Sequence, residues 1–169
     1  SLVGSQGLDS VGSGDVVALP NGNYVVISDK WANGTELKAG AVTLGNGSTG
    51  RIGAVSATNS LVGSQSDSFV GSGGVTILTN GNYVVSSPKA WSTVYQSGAV
   101  TWCDASIGRT GLISAANSLV GNFPSEQVGS GGVIALANGN YVVCSPSWDN
   151  PAYGSSSSDL TGAVTWCSS

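Results

Sequence analysis

Three tryptophans stand at matching places in otherwise variable stretches of the chain: Trp31, Trp91 and Trp148. Their neighbours are polar, in Asp29-Lys30-Trp31-Ala32-Asn33, Lys89-Ala90-Trp91-Ser92 and Ser147-Trp148-Asp149-Asn150. An indole beside Asn, Asp or Lys suits a sugar, whose apolar face stacks on the ring while polar neighbours take its hydroxyls. The same indole can instead plug the end of a β unit, because aromatic side chains dominate core burial. A glycan site would therefore use Trp31, Trp91, Trp148, Asp149 and Asn150, with hydrophobic plugging as the alternative. Asp9, Asp67 and Glu126 stand one per unit in similar loops and read as solvated charge. A glycosidase needs a carboxylate pair roughly 5 to 10 Å apart. Only Asp9 and Asp15 fall together within one unit, so no catalytic residue is assigned and the chain is read as a non-enzyme.

The remaining candidates are bland. Trp102 and Trp166 are equivalent to Leu44, and a position that accepts Leu is a packing position. Cys103 and Cys167 are equivalent to Gly45, while Cys144 stands where other units have Ile27 and Ser86. Equivalent positions in neighbouring units lie beyond the ~7 Å Cα limit for a disulfide. The hairpin register places Cys144 by Ala163 and Cys167 by Asn140, so these two do not bridge. Cys144 reads as a small buried hydrophobe. Cys103 or Cys167 is left to an intermolecular bond in an oxidising medium. Asn33-Gly34-Thr35 and Asn46-Gly47-Ser48 are glycosylation acceptor sequences.

Composition narrows the function further. The chain has 169 residues and no His, which excludes a Ser-His-Asp triad, a Cys-His pair and any His-held metal within it. No metal site and no cofactor are expected. Five basic against nine acidic residues give a net charge of -4, a poor surface for tracking phosphates, so nucleic acid is not an expected partner. No stretch approaches ~18 consecutive apolar residues, so no membrane insertion is expected. The chain opens at Ser1 rather than Met and reads as a processed product or a piece of a larger protein. Charged residues are only 8%, which on its own would hint at disorder. The regular spacing of Val, Ile, Tyr and Trp argues instead for packed β structure.

That spacing is an internal repeat. SLVG recurs at Ser1, Ser60 and Ser118, VGSG at Val11, Val70 and Val128, NGNYVV at Asn21, Asn80 and Asn138, and GAVT at Gly40, Gly98 and Gly162. Three units follow, at 1–59, 60–117 and 118–169, in one repeat domain. Each reads as four short strands. The first is Val16-Val17-Ala18-Leu19, with Val75 to Leu78 and Val133 to Leu136 as its equivalents. Asn-Gly follows, a strong hairpin signal because both residues tolerate positive φ. The second is Tyr-Val-Val and the next two residues, the third Ala-Val-Thr and one more, the fourth Ser-Leu-Val-Gly. The runs are continuously apolar because each small sheet is covered on both faces by neighbours. The expected fold is all-β: tandem four-stranded antiparallel blades in a β-propeller-like order, with a three-fold β-trefoil as the alternative.

The unit resembles the FG-GAP repeat of integrin-type β-propellers. Val11-Gly12, Val70-Gly71 and Val128-Gly129 take the Phe-Gly place. Ser86-Ser87-Pro88 and Cys144-Ser145-Pro146 take the Gly-Ala-Pro place, which has drifted to Ile27-Ser28-Asp29 in the first unit. Gly98-Ala99-Val100-Thr101 and its equivalents match the third strand. Calcium-binding members carry an Asp-rich loop between the first two strands, where this chain has only uncharged turns such as Pro20-Asn21-Gly22-Asn23. The wording of the unit is also similar to tandem repeats of large secreted, filamentous-haemagglutinin-like bacterial surface proteins. This resemblance implies an extracellular or cell-surface location.

The chain thus begins with a fourth strand, Ser1, Leu2, Val3, Gly4 and Ser5, and ends on a third strand. Three blades do not close a propeller. The expectation is that the spare N-terminal strand completes another unit, either in a second copy or in neighbouring repeats of the same protein, giving a ring or a filament. The expected function is a self-assembling structural or adhesion module, with a carbohydrate-binding lectin as the alternative.

Overall fold

The computed structural model describes residues 1–91, 94–150 and 160–169. These form fourteen short strands and no helix. Each unit contributes a first strand, β2 (Asp15–Ala18), β7 (Val75–Ile77) or β12 (Val133–Ala135), and a second, β3 (Tyr24–Ser28), β8 (Tyr83–Ser87) or β13 (Tyr141–Ser145). The third strands are β4 (Ala41–Gly45), β9 (Ala99–Cys103) and β14 (Ala163–Cys167), and the fourth are β1 (Leu2–Val3), β6 (Leu61–Val62) and β11 (Leu119–Val120). First, second and third strands pair antiparallel within a unit, and the fourth crosses to the sheet of the unit before it. The third sheet ends on β14 with three strands.

A fifth element was not legible as a strand. β5 (Gly53–Ala54) and β10 (Gly111–Leu112) pair parallel to β1 and β6. The two ends of one unit therefore lie side by side, and the antiparallel set of four gains one parallel edge. Sheets remain separate, so a β-trefoil, in which the units share one barrel, does not hold. The three units form a propeller-like series that is open at both ends.

The Asn-Gly turns form with a different geometry from the one expected. Only the glycine takes positive φ: 87° at Gly22, 89° at Gly81 and 92° at Gly139. The Gly22 N–H closes on the Leu19 carbonyl at 3.0 Å, and Pro20 fixes the first central residue at negative φ. The result is a type I turn followed by a bulged glycine. Asn21 supports it by accepting from the Asn23 N–H at 3.0 Å, and Asn80 and Asn138 repeat that bond.

Period-two alternation then sorts each second strand between two neighbours. Tyr83 and Val85 enter a core with Val25, Ile27 and Val42 of the first unit, while Val84 joins Tyr141 and Val143 of the third. All five residues of β8 are buried as a consequence. In β13 only alternate residues are buried. Trp102 packs against the third unit. Trp166, expected in a core, is 59% exposed because its face has no unit against it.

The cysteine register is shifted by one from the expectation. Cys144 faces Val164 and Cys167 faces Tyr141. All three cysteines are free. Cys103 is buried, which removes it from intermolecular bonding. Burial pushes its thiol up to about 12, against the opposing effects of the Tyr83 hydrogen bond and the Arg109 charge. In the native protein at pH 8, Cys103 should react with a thiol reagent on the order of a thousandfold more slowly than an unperturbed cysteine. Mass spectrometry of timed labelling, with urea-unfolded protein as reference, measures that ratio.

Candidate functional site

The best-built feature is the joint between units, made twice with the same bonds. At the first joint Leu61 lies opposite Val42 and Val62 opposite Ala41. The Ser60 and Thr43 hydroxyls share a hydrogen bond of 2.6 Å. The Gly63 N–H donates to the Gly40 carbonyl and the Val70 N–H to the Ala39 carbonyl, both at 3.1 Å. Gly40 has φ +80°, and a Cβ there would stand 2.2 Å from the Val70 nitrogen. Gly71 seats against Val42 and Ile27 in a space where a Cβ would come within 2.7 Å.

The second joint repeats each part. Leu119 and Val120 face Val100 and Ala99. Ser118 and Thr101 share a 2.7 Å bond. The Val128 N–H donates to Ser97 at 3.0 Å, and a Cβ on Gly98 would again lie 2.2 Å from the following backbone nitrogen. These glycines and valines carry the joint, with the Val-Gly of VGSG in the Phe-Gly place and the Gly of GAVT just ahead of the third strand. Their signal was the constant spacing of thirty residues from each GAVT to the VGSG of the next unit, Gly40 to Val70 and Gly98 to Val128.

The two ends of the chain present the separate halves of this joint. One half is the expected assembly strand, Ser1, Leu2, Val3, Gly4 and Ser5, of which Leu2–Val3 is β-structured. The other is Gly162 with β14. Val164 is 75% exposed, whereas its equivalents Val42 and Val100 are 2% and 1% exposed. Val3 is 48% exposed and its equivalent Val62 is fully buried. Gly162 keeps positive φ, but among the described residues a Cβ there would meet only atoms of Pro146, at 3.3 Å or more.

Of the loop acids read as solvated charge, Asp67 is exposed, but Asp9 and Glu126 are buried and structural. Asp9 is buried and accepts from the Ser5, Gln6 and Ala32 N–H groups at 2.6, 3.0 and 3.1 Å. Glu126 is buried likewise and accepts from Asn122 and Phe123, then from Asp149 at 3.3 Å. Each acid ties the fourth-strand loop to the residue after a tryptophan. Asp67 is not their counterpart: it is exposed and meets Lys38 at 3.6 Å. Ser68 takes the inward position in the second unit.

The three tryptophans lie in three different surroundings. Trp31 is 3% exposed among Ala41, Val55 and Val62, which leaves no ring face for stacking. Trp91 is half-buried and meets Tyr95 edge-on at 4.8 Å between ring centres. Ser92, beside it, lies outside the described residues. Trp148 packs on the core shared by the second and third units. Asp149 is buried, Asn150 half-buried, and Asp149 borders a cavity of about 320 Å³ with Glu126, Phe123 and Leu160. Among the described residues no group of three acid or thiol side chains is placed to hold a metal ion.

A repeat family described as "Repeat of unknown function (DUF5650)" matches residues 18–72, 77–130 and 135–169. No curated protein matches the chain. The first two matches each run from one unit into the next and so span a joint.

Two outcomes test the joint and its loop. Gly98→Ala should cost about 3 kcal/mol, from strain at positive φ plus the collision with Val128. Gly162→Ala carries the positive-φ strain without the backbone collision, its Cβ meeting Pro146 at 3.3 Å, and should cost only about 1 kcal/mol. Urea unfolding of the two variants checks the difference. The Asp9 carboxyl sits below its usual range: burial raises it, but the N–H bonds from Gln6, Ala32 and Ser5 outweigh that. Its stabilisation is therefore present above the ordinary aspartate range near 3.8 and is lost as pH falls through the lowered value. Asp9→Asn should flatten the acid limb of a urea-midpoint profile between about pH 2 and 5.

Proposed function

We propose that this chain, which belongs to the family described as "Repeat of unknown function (DUF5650)", is a non-enzymatic structural or adhesion module that self-assembles end to end. The observation that carries the reading is the exposed half-joint at each end. In the register used twice inside the chain, Leu2 of one copy lies opposite Val164 of the next, and Val3 opposite Ala163. The Ser1 hydroxyl meets Thr165, and Val11-Gly12 seats against Gly162 and Val164. Such a contact joins two different surfaces, so it propagates to a ring if the rotation closes and to a filament if it does not. A neighbouring repeat of the same protein fills the place equally well. It also covers the open apolar edges, which otherwise invite unspecific pairing. The FG-GAP and surface-protein resemblance supports an extracellular or cell-surface setting. A lectin reading is narrower and rests on Trp91 with half-exposed Tyr95.

Val164→Lys places a charge on an exposed position and leaves the fold intact. Sedimentation velocity should show concentration-dependent assembly of the parent chain and a monomer for Val164→Lys. A parent that stays monomeric up to about 1 mM, or a variant that assembles equally, removes the self-assembly reading. A glycan array that shows no binding removes the lectin reading alone.

A further inference from the structure

The chain's two arginines occupy one repeat position. Arg51 follows Gly40 by the same eleven residues that separate Arg109 from Gly98. Each ends the same loop, Asn46-Gly47-Ser48-Thr49-Gly50-Arg51 or Asp104-Ala105-Ser106-Ile107-Gly108-Arg109. Asn46 accepts from the Ser48 and Thr49 N–H groups at 2.9 Å, and Asp104 from Ser106 and Ile107 at 2.7 and 3.1 Å. The Gly50 and Gly108 N–H groups close the loops on the residue 46 and residue 104 carbonyls at 2.8 Å. Two equally braced loops from adjacent units therefore deliver two guanidinium groups.

They deliver them to one place. A cavity of about 240 Å³ between the first two units is lined by Arg51 and Arg109 together with Leu44, Asn46, Asn59 and Ile107. Among the described residues neither arginine has a carboxylate within ion-pair distance, the recorded pair being Lys38 with Asp67. Arg51 makes a long bond of 3.4 Å to the Asn59 carbonyl. The Arg109 Nε is buried and makes no hydrogen bond. Asp104 spends one carboxylate oxygen on its own loop and does not line the cavity. A buried guanidinium nitrogen without an acceptor costs free energy that an incoming oxyanion would recover.

We propose that this groove binds a carboxylate-bearing saccharide. The guanidinium pair takes the carboxylate, which matches their planar fork. Asn46 and Ser106 border the groove for hydroxyl groups, and Leu44 with the exposed Ile107 supplies an apolar wall for a ring face. A volume below the ~300–1,000 Å³ of drug-sized sites suits one sugar residue with its acid. A long polyphosphate is disfavoured by the net charge of -4. The site is independent of the end-to-end joint, because all its residues lie within the first two units.

Isothermal titration of the full chain with a galacturonate trimer, against the neutral galactose trimer and inorganic sulfate, tests it. The acidic trimer should bind and weaken with added salt, and the neutral trimer should not bind detectably. Arg51→Gln and Arg109→Gln should each weaken binding by about tenfold or more, with Arg51→Lys and Arg109→Lys retaining part of it. Unchanged melting of the Lys variants separates this loss from misfolding. Equal binding of both trimers, no binding of the acidic one, or affinity indifferent to either arginine would overturn the proposal. Sulfate binding as tightly as the trimer would also overturn it, by reducing the groove to a bare anion site.

Discussion

Everything in this protein depends on how closely one repeat's backbone approaches the next. At Gly40 and Gly98 the chain bends through positive φ and lies against the following Val-Gly segment, with no room for a side chain. That approach lets the backbone hydrogen bonds from Val70 and Val128 form. It also brings the next fourth strand into register with β4 and β9. A Cβ at either glycine would separate the units, and with them the cores they share.

Those cores explain why the sheets are small yet buried. A three- or four-stranded sheet standing alone would leave one face wet. Here Tyr83 and Val85 point to one neighbour and Val84 to the other, so the middle unit is dry on both sides. Low charge and high glycine content follow from this. There is little exposed face to carry charge, and the glycines serve turns and close approaches. The acids Asp9 and Glu126 fit the same scheme, because they satisfy N–H groups in loops that have no strand partner.

Much of this was legible in the residues. The second strands begin at Tyr24, Tyr83 and Tyr141 and end two residues past the valines, as their apolar runs indicate. The fourth strand's crossing and the short last sheet follow from counting motifs. Several readings shifted. The Asn-Gly turns bulge, because Asn21, Asn80 and Asn138 stay at negative φ and accept from the N–H two residues on, leaving positive φ to the glycine alone. The Cys144 pairing moved by one because a variable loop, not a tight turn, joins the second strand to the third. Asp67 lost its equivalence to Asp9 because a one-residue offset in a loop reverses which side chain points inward.

The amino-acid sequence alone determined the repeat, its all-β class and the absence of histidine chemistry, since these are properties of period and composition. Which residues meet was decided only by the tertiary structure. Trp31 became a buried plug while Trp166 became a surface, although both have the same aromatic character. Arg51 and Arg109, fifty-eight residues apart, came to line one groove. The physical reason is that a repeat unit's exposure is set by its neighbours. Identical motifs have different surroundings in the middle of the series and at its ends, and a local pattern carries no record of that difference.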